Sequence, residues 1–398
     1  MIVNIIRGQN QIGGSIIEIS TDKTKIVFDV GMNLDESEEI EIPKIDGLFC
    51  GKKKYDAIFI SHYHSDHIGL LDYVLDDIPI YMGERAYKIV KAANEYRGKQ
   101  CGFSSEFLYE NTPVCINDIK ITPILCDHSA FDSYMLLVEA DEKKLLYTGD
   151  FRSNGRLDYD NLLSKIPVVD ALIIEGTTLS REIEMQNIEE ETLEDIALRA
   201  LSKSSGPAFV MMSAMNIDRL ITMSNVAKQT DRLFLEDIYT AKIAKASEET
   251  TLISNRNTRV FMTGGDKQYQ MLSEFDDIKI GKNAIAKEQF LMCVRPSLKN
   301  CLSTLNEICS FEDGVLFYGM WKGYLERDDM TDFVDFMKSK GVNLHILHTS
   351  GHADAMTIEN LIEDVSPKAI IPVHTENAEW FSKYNDIQII LNCSNFML

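Results

Sequence analysis

The chain is 398 residues long, with 45% hydrophobic and 26% charged residues: a folded, globular composition with room for a substantial core, at a length that favours two domains. A formal charge of −22 is unlike a protein that holds nucleic acid by bulk electrostatics, so a bound strand has to follow a locally positive groove. No apolar stretch approaches a membrane span, residues 1–7 are too short for a signal peptide, and the eight cysteines form no CxxC pair, which points to a cytoplasmic protein with reduced thiols.

In chain order, Ile26-Val27-Phe28 is the first strand-like run with a donor at its end. Asp29 closes it without a neighbouring donor, and reads as a residue that orients a ligand imidazole. Lys52, Lys53 and Lys54 then read as an exposed loop, with the rim of a groove as the sharper alternative. Ala57-Ile58-Phe59-Ile60 is a strand signal, and His62, His64, Asp66 and His67 follow it within six residues, on the loop where a buried strand surfaces. Imidazole mixed with carboxylate suits zinc or manganese better than magnesium or calcium. His62 and His64 are two apart and Asp66 and His67 adjacent, so a tight turn can send the two pairs toward two ions. Three later runs also end in a donor: Ile121 to Cys126 in His128, Leu145 to Gly149 in Asp150, and Ala369 to Val373 in His374. A single donor at a strand end is more often a satisfied turn residue; a dense histidine and carboxylate set is costly to place without an ion. Cys126, close to His128, reads as a core thiol, with oxidation sensing as the sharper alternative.

Leu172-Ile173-Ile174 ends in Glu175-Gly176-Thr177-Thr178. Beyond it, Ile188, Leu193, Ile196, Ala197, Ala200 and Leu201 recur at helical spacing and Pro207 to Met212 reads as the following strand, an alternation that suggests an open α/β layer. Ser213-Ala214-Met215-Asn216-Ile217-Asp218-Arg219 leaves that strand; Ser213, Asn216 and Arg219 are candidate donors to phosphates, with a plain helix start as the equal alternative. Leu344 to Leu347 ends in His348-Thr349-Ser350-Gly351-His352-Ala353, where Ser350 and Gly351 offer backbone amides to a phosphate or serve an ordinary tight turn. A helix through Ala355, Ile358, Leu361 and Ile362, closed by Pro367, leads to the strand before His374, and Asp386 to Leu391 reads as a last strand or an edge. The acidic stretches from Glu36 to Glu41 and from Glu182 to Asp195 read as solvated faces.

The series Phe28-Asp29, Ser61-His62-Tyr63-His64-Ser65-Asp66-His67, Asp127-His128-Ser129, Thr148-Gly149-Asp150 and Val373-His374 resembles the ordered motifs of the metallo-β-lactamase superfamily, over nearly the whole chain. The resemblance implies an α/β protein with a four-layer αβ/βα sandwich, one metal on His62, His64 and His128, the other on Asp66, His67 and His374, and Asp150 bridging. Glu175-Gly176-Thr177-Thr178, His348 to Ala353 and Ile371-Pro372-Val373-His374-Thr375-Glu376 are similar to motifs of its beta-CASP nucleases, the branch containing RNase J. Residues 1–175 and 346–398 are then the core, and 176–345 an inserted beta-CASP α/β domain.

The expected function is an RNase J-like ribonuclease that hydrolyses RNA phosphodiesters with a hydroxide shared by two zinc ions, manganese being the alternative metal. Asp66, Asp150, Glu175 and His352 form its catalytic set, with His352 as the general acid held by Glu175. Ser213, Asn216, Arg219, Ser350, Gly351 and His352 are the candidate substrate contacts. Single-stranded RNA is the expected partner, no membrane is expected, and self-association stays open. RNase J proper continues into a carboxy-terminal domain, whereas this chain stops about two dozen residues after His374, which puts the family's oligomer and 5′-end processivity in doubt. The competing readings are a thioester or lactone hydrolase, a DNA-directed nuclease and a noncatalytic scaffold. Di-iron redox chemistry is disfavoured because the flavodiiron pattern carries Glu where His64 stands.

Overall fold

The computed structural model describes residues 1–34, 40–180, 187–264 and 266–398, and the chain packs as two compact units, residues 1–187 with 351–398, and residues 188–350. These boundaries differ from the expected 175/176 and 345/346. Thr177 stays in the first unit because its hydroxyl bonds Glu175 and His374 there. Among the acidic stretches, residues 35–39 and 182–186 lie outside the described residues, Glu41 is exposed, and Glu190 is fully buried rather than solvated.

The first unit is built on two seven-stranded sheets. One runs in the order Phe396–Met397, Ile2–Arg7, Ile16–Ser20, Lys25–Phe28, Ala57–Phe59, Ile80–Gly83, Glu106–Leu108. The other runs Gln388–Ile389, Ala369–Pro372, Ala171–Ile174, Lys143–Tyr147, Ser133–Ala140, Ile119–Cys126, Val114–Ile116. Ala57–Phe59 lies parallel to both neighbours and is buried on both faces, which is why it reads as a continuous apolar run. Alternation along Lys143–Tyr147 sets the layers. Leu145 and Tyr147 join Phe28, Phe59, Ile173 and Ile371 in the core between the sheets, and Tyr147 stacks on Phe28 at 5.5 Å. Leu146 points the other way, packing with Leu172 and Ile370 against Leu162, Ile358, Leu361 and Ile362 of the helices Tyr159–Leu163 and Ala355–Val365. Helix Glu84–Tyr96 buries Ile89, Val90 and Ala93 and contacts strands Ile80–Gly83 and Glu106–Leu108. Each aromatic ring buried between the sheets contributes about 1.5–3 kcal/mol. Helix, sheet, sheet and helix thus give the four layers that the resemblance implies. The expected strand at residues 386–391 is the two-residue edge Gln388–Ile389.

The second unit carries one parallel sheet in the order Lys279–Ile280, Thr258–Phe261, Leu233–Asp237, Phe290–Val294, Ala208–Met211, Gly314–Tyr318, Val342–Ile346. Helix Glu190–Leu201 buries Leu193, Ala197 and Leu201, whereas Ile188 precedes it and is exposed. An all-parallel sheet needs helical crossovers, and the alternation of strand and helix supplies them.

Candidate metal centre

Strands Ile119–Cys126, Lys143–Tyr147, Ala171–Ile174 and Ala369–Pro372 point the same way in one sheet, so His128, Asp150, Glu175 and His374 emerge on a single edge. The segment after Ala57–Phe59 brings His62 and His64 there, and the one-turn helix Ser65–Ile68 adds Asp66 and His67. Gly31 is required beside that turn, because a Cβ there would overlap the Asp66 carbonyl. His374 sits at φ 50°, a strained backbone for a histidine, fixed where its amide donates to the Gly8 carbonyl at 2.7 Å.

The donors fall into three overlapping groups that share Asp150: His62, His64 and His128 on one side, Asp66, His67 and His374 on the other, and Glu175 and His352 with His374 beside them. Asp150 Oδ2 lies 3.3 Å from His67 Nε2, 3.6 Å from His62 Nε2, 3.8 Å from His374 Nε2 and 3.9 Å from His128 Nε2. Among the described residues, neither oxygen of this buried carboxylate has a hydrogen-bond partner, nor do His62 Nε2 and His67 Nε2. Leaving one such group unsatisfied costs about 1–3 kcal/mol, so four such atoms around one point form a place suited to a cation. His128 Nε2 and His64 Nδ1 approach to 3.1 Å, close to the roughly 3.3 Å between two nitrogens on a tetrahedral zinc. The donor set therefore fits divalent metal, with zinc the ion that this mix of imidazole and carboxylate favours.

The far side of most rings is pinned. His67 Nδ1 bonds Asp29 at 2.8 Å, His62 Nδ1 meets Ser61 Oγ at 3.1 Å, His374 Nδ1 meets Thr177 Oγ1 at 2.7 Å, and His128 Nδ1 bonds the Gly351 carbonyl. Each bond turns Nε2 toward the centre and fixes the tautomer; His64 alone among the ligand candidates presents Nδ1. Asp29, at φ 54°, also accepts from the Ser61 amide at 2.8 Å and from Tyr147 Oη at 2.6 Å, so it organises the whole loop as well as one imidazole. Ser61, Thr177, Tyr147 and the Gly351 carbonyl carry no sequence signal for these roles. Asp127 is a further hidden support: it binds Arg152 Nε at 2.6 Å and accepts the Arg156 and Leu157 amides at 2.6 Å and 2.8 Å, tying down the loop after Asp150.

Burial, then the neighbouring imidazoles His67 and His128, holds His62 well below the usual histidine pKa, and burial holds His64 at about 4. His128 is lowered by burial and by His64. These rings are neutral at pH 7, the form that ligates metal. For Asp66 and Asp150 burial pushes upward, but the histidines, foremost His374, outweigh it and keep both ionised. Burial opposes charge on His67 too; Asp150 and Asp29 overcome it.

Glu175 and His352 stand beside this centre. His352 Nδ1 lies 3.1 Å from Glu175 Oε2 and 3.6 Å from Asp150 Oδ2. Burial lowers its pKa, yet Glu175 and then Asp150 outweigh that and push it up to about 9. Glu175 is itself fully buried, receiving the Phe151 amide at 2.9 Å and the Thr177 hydroxyl at 2.6 Å.

Arg219 departs from its expected phosphate contact. Arg219 is 1% exposed and grips Glu190 with Nε at 2.6 Å and Nη2 at 3.2 Å, while Nη1 donates to the Leu347 carbonyl at 2.8 Å. Its guanidinium holds the second unit together rather than facing a phosphate. Asn216 caps helix Ile217–Gln229, accepting from the Arg219 amide, as the plain reading had it, and Ser213 is exposed. Ser350 is half-buried, and Gly351 contributes its carbonyl to His128. Burial pushes the Cys126 thiol far up, which removes the reactive thiolate that oxidation sensing requires. Lys53 and Lys54 are exposed, with Lys54 paired to Asp46, as on an ordinary loop.

Residues 11–104 match the family model of the metallo-beta-lactamase superfamily, and residues 327–386 that of the Zn-dependent metallo-hydrolase RNA specificity domain. Fold and centre therefore define a metallo-β-lactamase-fold protein that carries this RNA specificity domain, in keeping with the beta-CASP branch. Among relatives, the chain is 26% identical over 414 residues to Methanocaldococcus jannaschii "Probable RNase MJ4", covering 93% of this chain and 92% of that one. It is 28% identical over 152 residues to Helicobacter pylori "Ribonuclease J", covering 36% of this chain and 22% of that protein's length. It is 21% identical over 389 residues to Streptococcus pyogenes "Ribonuclease J 2", covering 93% and 68%. A crystal structure of a protein of unknown function from Enterococcus faecalis shares the fold, with a TM-score of 0.81, 20% identity and 99% and 98% of the two chains covered. Among the described residues, no helix is long and apolar enough to cross a membrane.

Proposed function

We propose that this chain is a metal-dependent phosphodiesterase that cleaves single-stranded RNA, with His62, His64 and His128 holding one ion, Asp66, His67 and His374 the other, and Asp150 shared. The observation that carries the reading is the buried Asp150 carboxylate, without a hydrogen bond among the described residues, at the meeting point of the imidazoles. RNA is favoured by the RNA specificity domain and by the ribonuclease names of the relatives. When bound, two divalent ions would lower the pKa of a shared water and neutralise charge on the phosphoryl oxygens.

The remaining steps belong to the chain. Asp29, Ser61, Thr177 and the Gly351 carbonyl hold the imidazoles in one orientation, so the centre needs no rearrangement during reaction. Glu175 keeps a proton on His352 Nδ1, which assigns the ring's Nε2 to hand a proton to the departing oxygen. A thioester or lactone hydrolase would leave this carboxylate–histidine pair without work. Incubating zinc- or manganese-loaded protein with labelled single-stranded RNA, duplex DNA and a generic thioester tests the reading. RNA cleavage that requires the metal is the expected result; cleavage of the thioester alone, or of DNA alone, overturns it.

A further inference from the structure

We infer that the carboxyl edge of the second unit's sheet is a site for unpaired nucleobases, which grips single-stranded RNA by stacking rather than through its phosphates. The inference rests on the ribonuclease reading and names the feature of the substrate that this unit selects.

The topology marks the place. From Ala208–Met211 the chain crosses to Leu233–Asp237 on one side, whereas from Phe290–Val294 it crosses to Gly314–Tyr318 on the other, and the two starting strands are neighbours. Connections that leave in opposite directions open a crevice beyond the strands' carboxyl ends, where parallel α/β sheets bind ligands. A cavity of about 210 Å³ lies there, lined in part by Ser213 and Ala214 after the first strand and by Arg295 and Pro296 after the second. This is smaller than the roughly 300 Å³ at which drug-sized pockets begin, and suits a single flat ring system.

The lining is chemically one-sided. Met211, Met212, Met320 and Met330 supply polarizable, adaptable sulfur-bearing walls that favour aromatic faces. The cation at this edge is already engaged: Arg295 pairs with buried Asp237 and lies over the Tyr239 ring at 5.6 Å. Arg219 is held by Glu190, and Arg327 lies 3.7 Å from Asp329 and over Tyr324 at 5.8 Å. Arg295, the cation among the cavity's lining residues, is thus already neutralised, and exposed Lys322 stands outside that lining, so an aromatic ligand with modest charge is the better match for the cavity.

Trp321 follows strand Gly314–Tyr318 at the same carboxyl edge, one residue past Met320 and outside the cavity's lining. Trp321 is 45% exposed, yet its indole is pinned: it covers Gly323 so closely that a Cβ there would overlap the ring, and Tyr324 meets it edge-on at 5.5 Å and 89°. Ordering a large exposed ring before any ligand arrives removes entropy that binding would otherwise lose. Stacking on a fixed aromatic face is worth about 1–3 kcal/mol per base and does not depend on the base's identity.

Only two tryptophans occur, so Trp380→Phe leaves Trp321 as the sole indole reporter in the full chain. Binding is measured in EDTA, without cleavage, using a single-stranded oligoadenylate of about a dozen nucleotides and the matching duplex RNA. The single strand is expected to quench Trp321 emission while the duplex does not. Trp321→Ala and Tyr239→Ala should each weaken binding about ten-fold at unchanged melting temperature, with Trp321→Phe restoring most of it. The slope of log affinity against log salt should be shallower than about −2, the value for about three neutralised phosphates on a single strand. Tight single-strand binding with unmoved emission and unaffected variants overturns the inference and leaves the ribonuclease reading intact. Emission that shifts with protein concentration alone assigns the patch to a second copy of the chain, and also overturns it. No RNA binding by the wild-type protein, with metal-dependent cleavage of a thioester, removes both.

Discussion

Two buried charged clusters in this molecule are built on opposite principles. In the second unit Arg219 and Glu190 close on each other: both are buried, the guanidinium fork matches the carboxylate, and a backbone carbonyl takes a further donor. In the first unit Asp150 is equally buried and has ring nitrogens on several sides, but no hydrogen bond to any of them. Burial and charge are alike in the two places; satisfaction is not. A saturated pair belongs to the scaffold, whereas convergent donors without partners are a place made for something else.

Removing the hub is the most severe way to break this contrast. Asp150→Ala should lower RNA cleavage by about three orders of magnitude or more and reduce the metal bound per chain, as read by metal analysis; full metal content with near-normal turnover would mean that Asp150 is not shared. His352 sharpens the same side. His352→Ala is expected to lower turnover by about 10²–10⁴-fold with metal content unchanged, and loss of an ion would make it a ligand instead of a proton donor.

The scaffold side is tested by Arg219→Met, which strands Glu190 and should destabilise the protein by about 3–5 kcal/mol in denaturant melts without altering metal binding. Joint replacement of Arg219 and Glu190 by methionine should be much milder. A stable Arg219→Met protein with a raised KM for RNA would return Arg219 to the phosphate-contact role. Between these extremes lies Asp29→Asn, which keeps the shape but not the charge beside His67; a loss of about 10–100-fold in metal affinity is expected, and equal affinity would reduce Asp29 to a packing residue.

The last test concerns pH. Glu236 is buried in the second unit, and burial first, Asp237 second, push its pKa from 4.5 to about 8. The native chain therefore holds a proton that the unfolded chain releases, so the contribution to stability is full below about pH 4.5 and is lost as pH rises to about 8. Melting temperature should fall across that window more steeply in the wild type than in Glu236→Gln; parallel profiles would contradict it.

What the sequence revealed follows from where its signals lie. His62, His64, Asp66, His67, His128, Asp150 and His374 were legible because apolar strand runs end just before them, and strands of one parallel set surface at one edge. Glu175 beside His352 was legible through resemblance. The supports were not: Thr177 on His374, Ser61 on His62 and the Gly351 carbonyl on His128 are a pair of hydroxyls and a main-chain oxygen, groups present everywhere along a chain. Arg219 misled for a related reason. Its partner Glu190 lies in an acidic stretch that reads as solvated, and only the packing of helix Glu190–Leu201 against helix Ile217–Gln229 turns that carboxylate inward.

The most direct test is the number of divalent ions that the purified chain retains after dialysis against zinc or manganese, measured by mass spectrometry of the metals. About two per chain are expected in the wild type, with a clear fall in Asp150→Ala. A chain that keeps none under any loading condition would contradict the account.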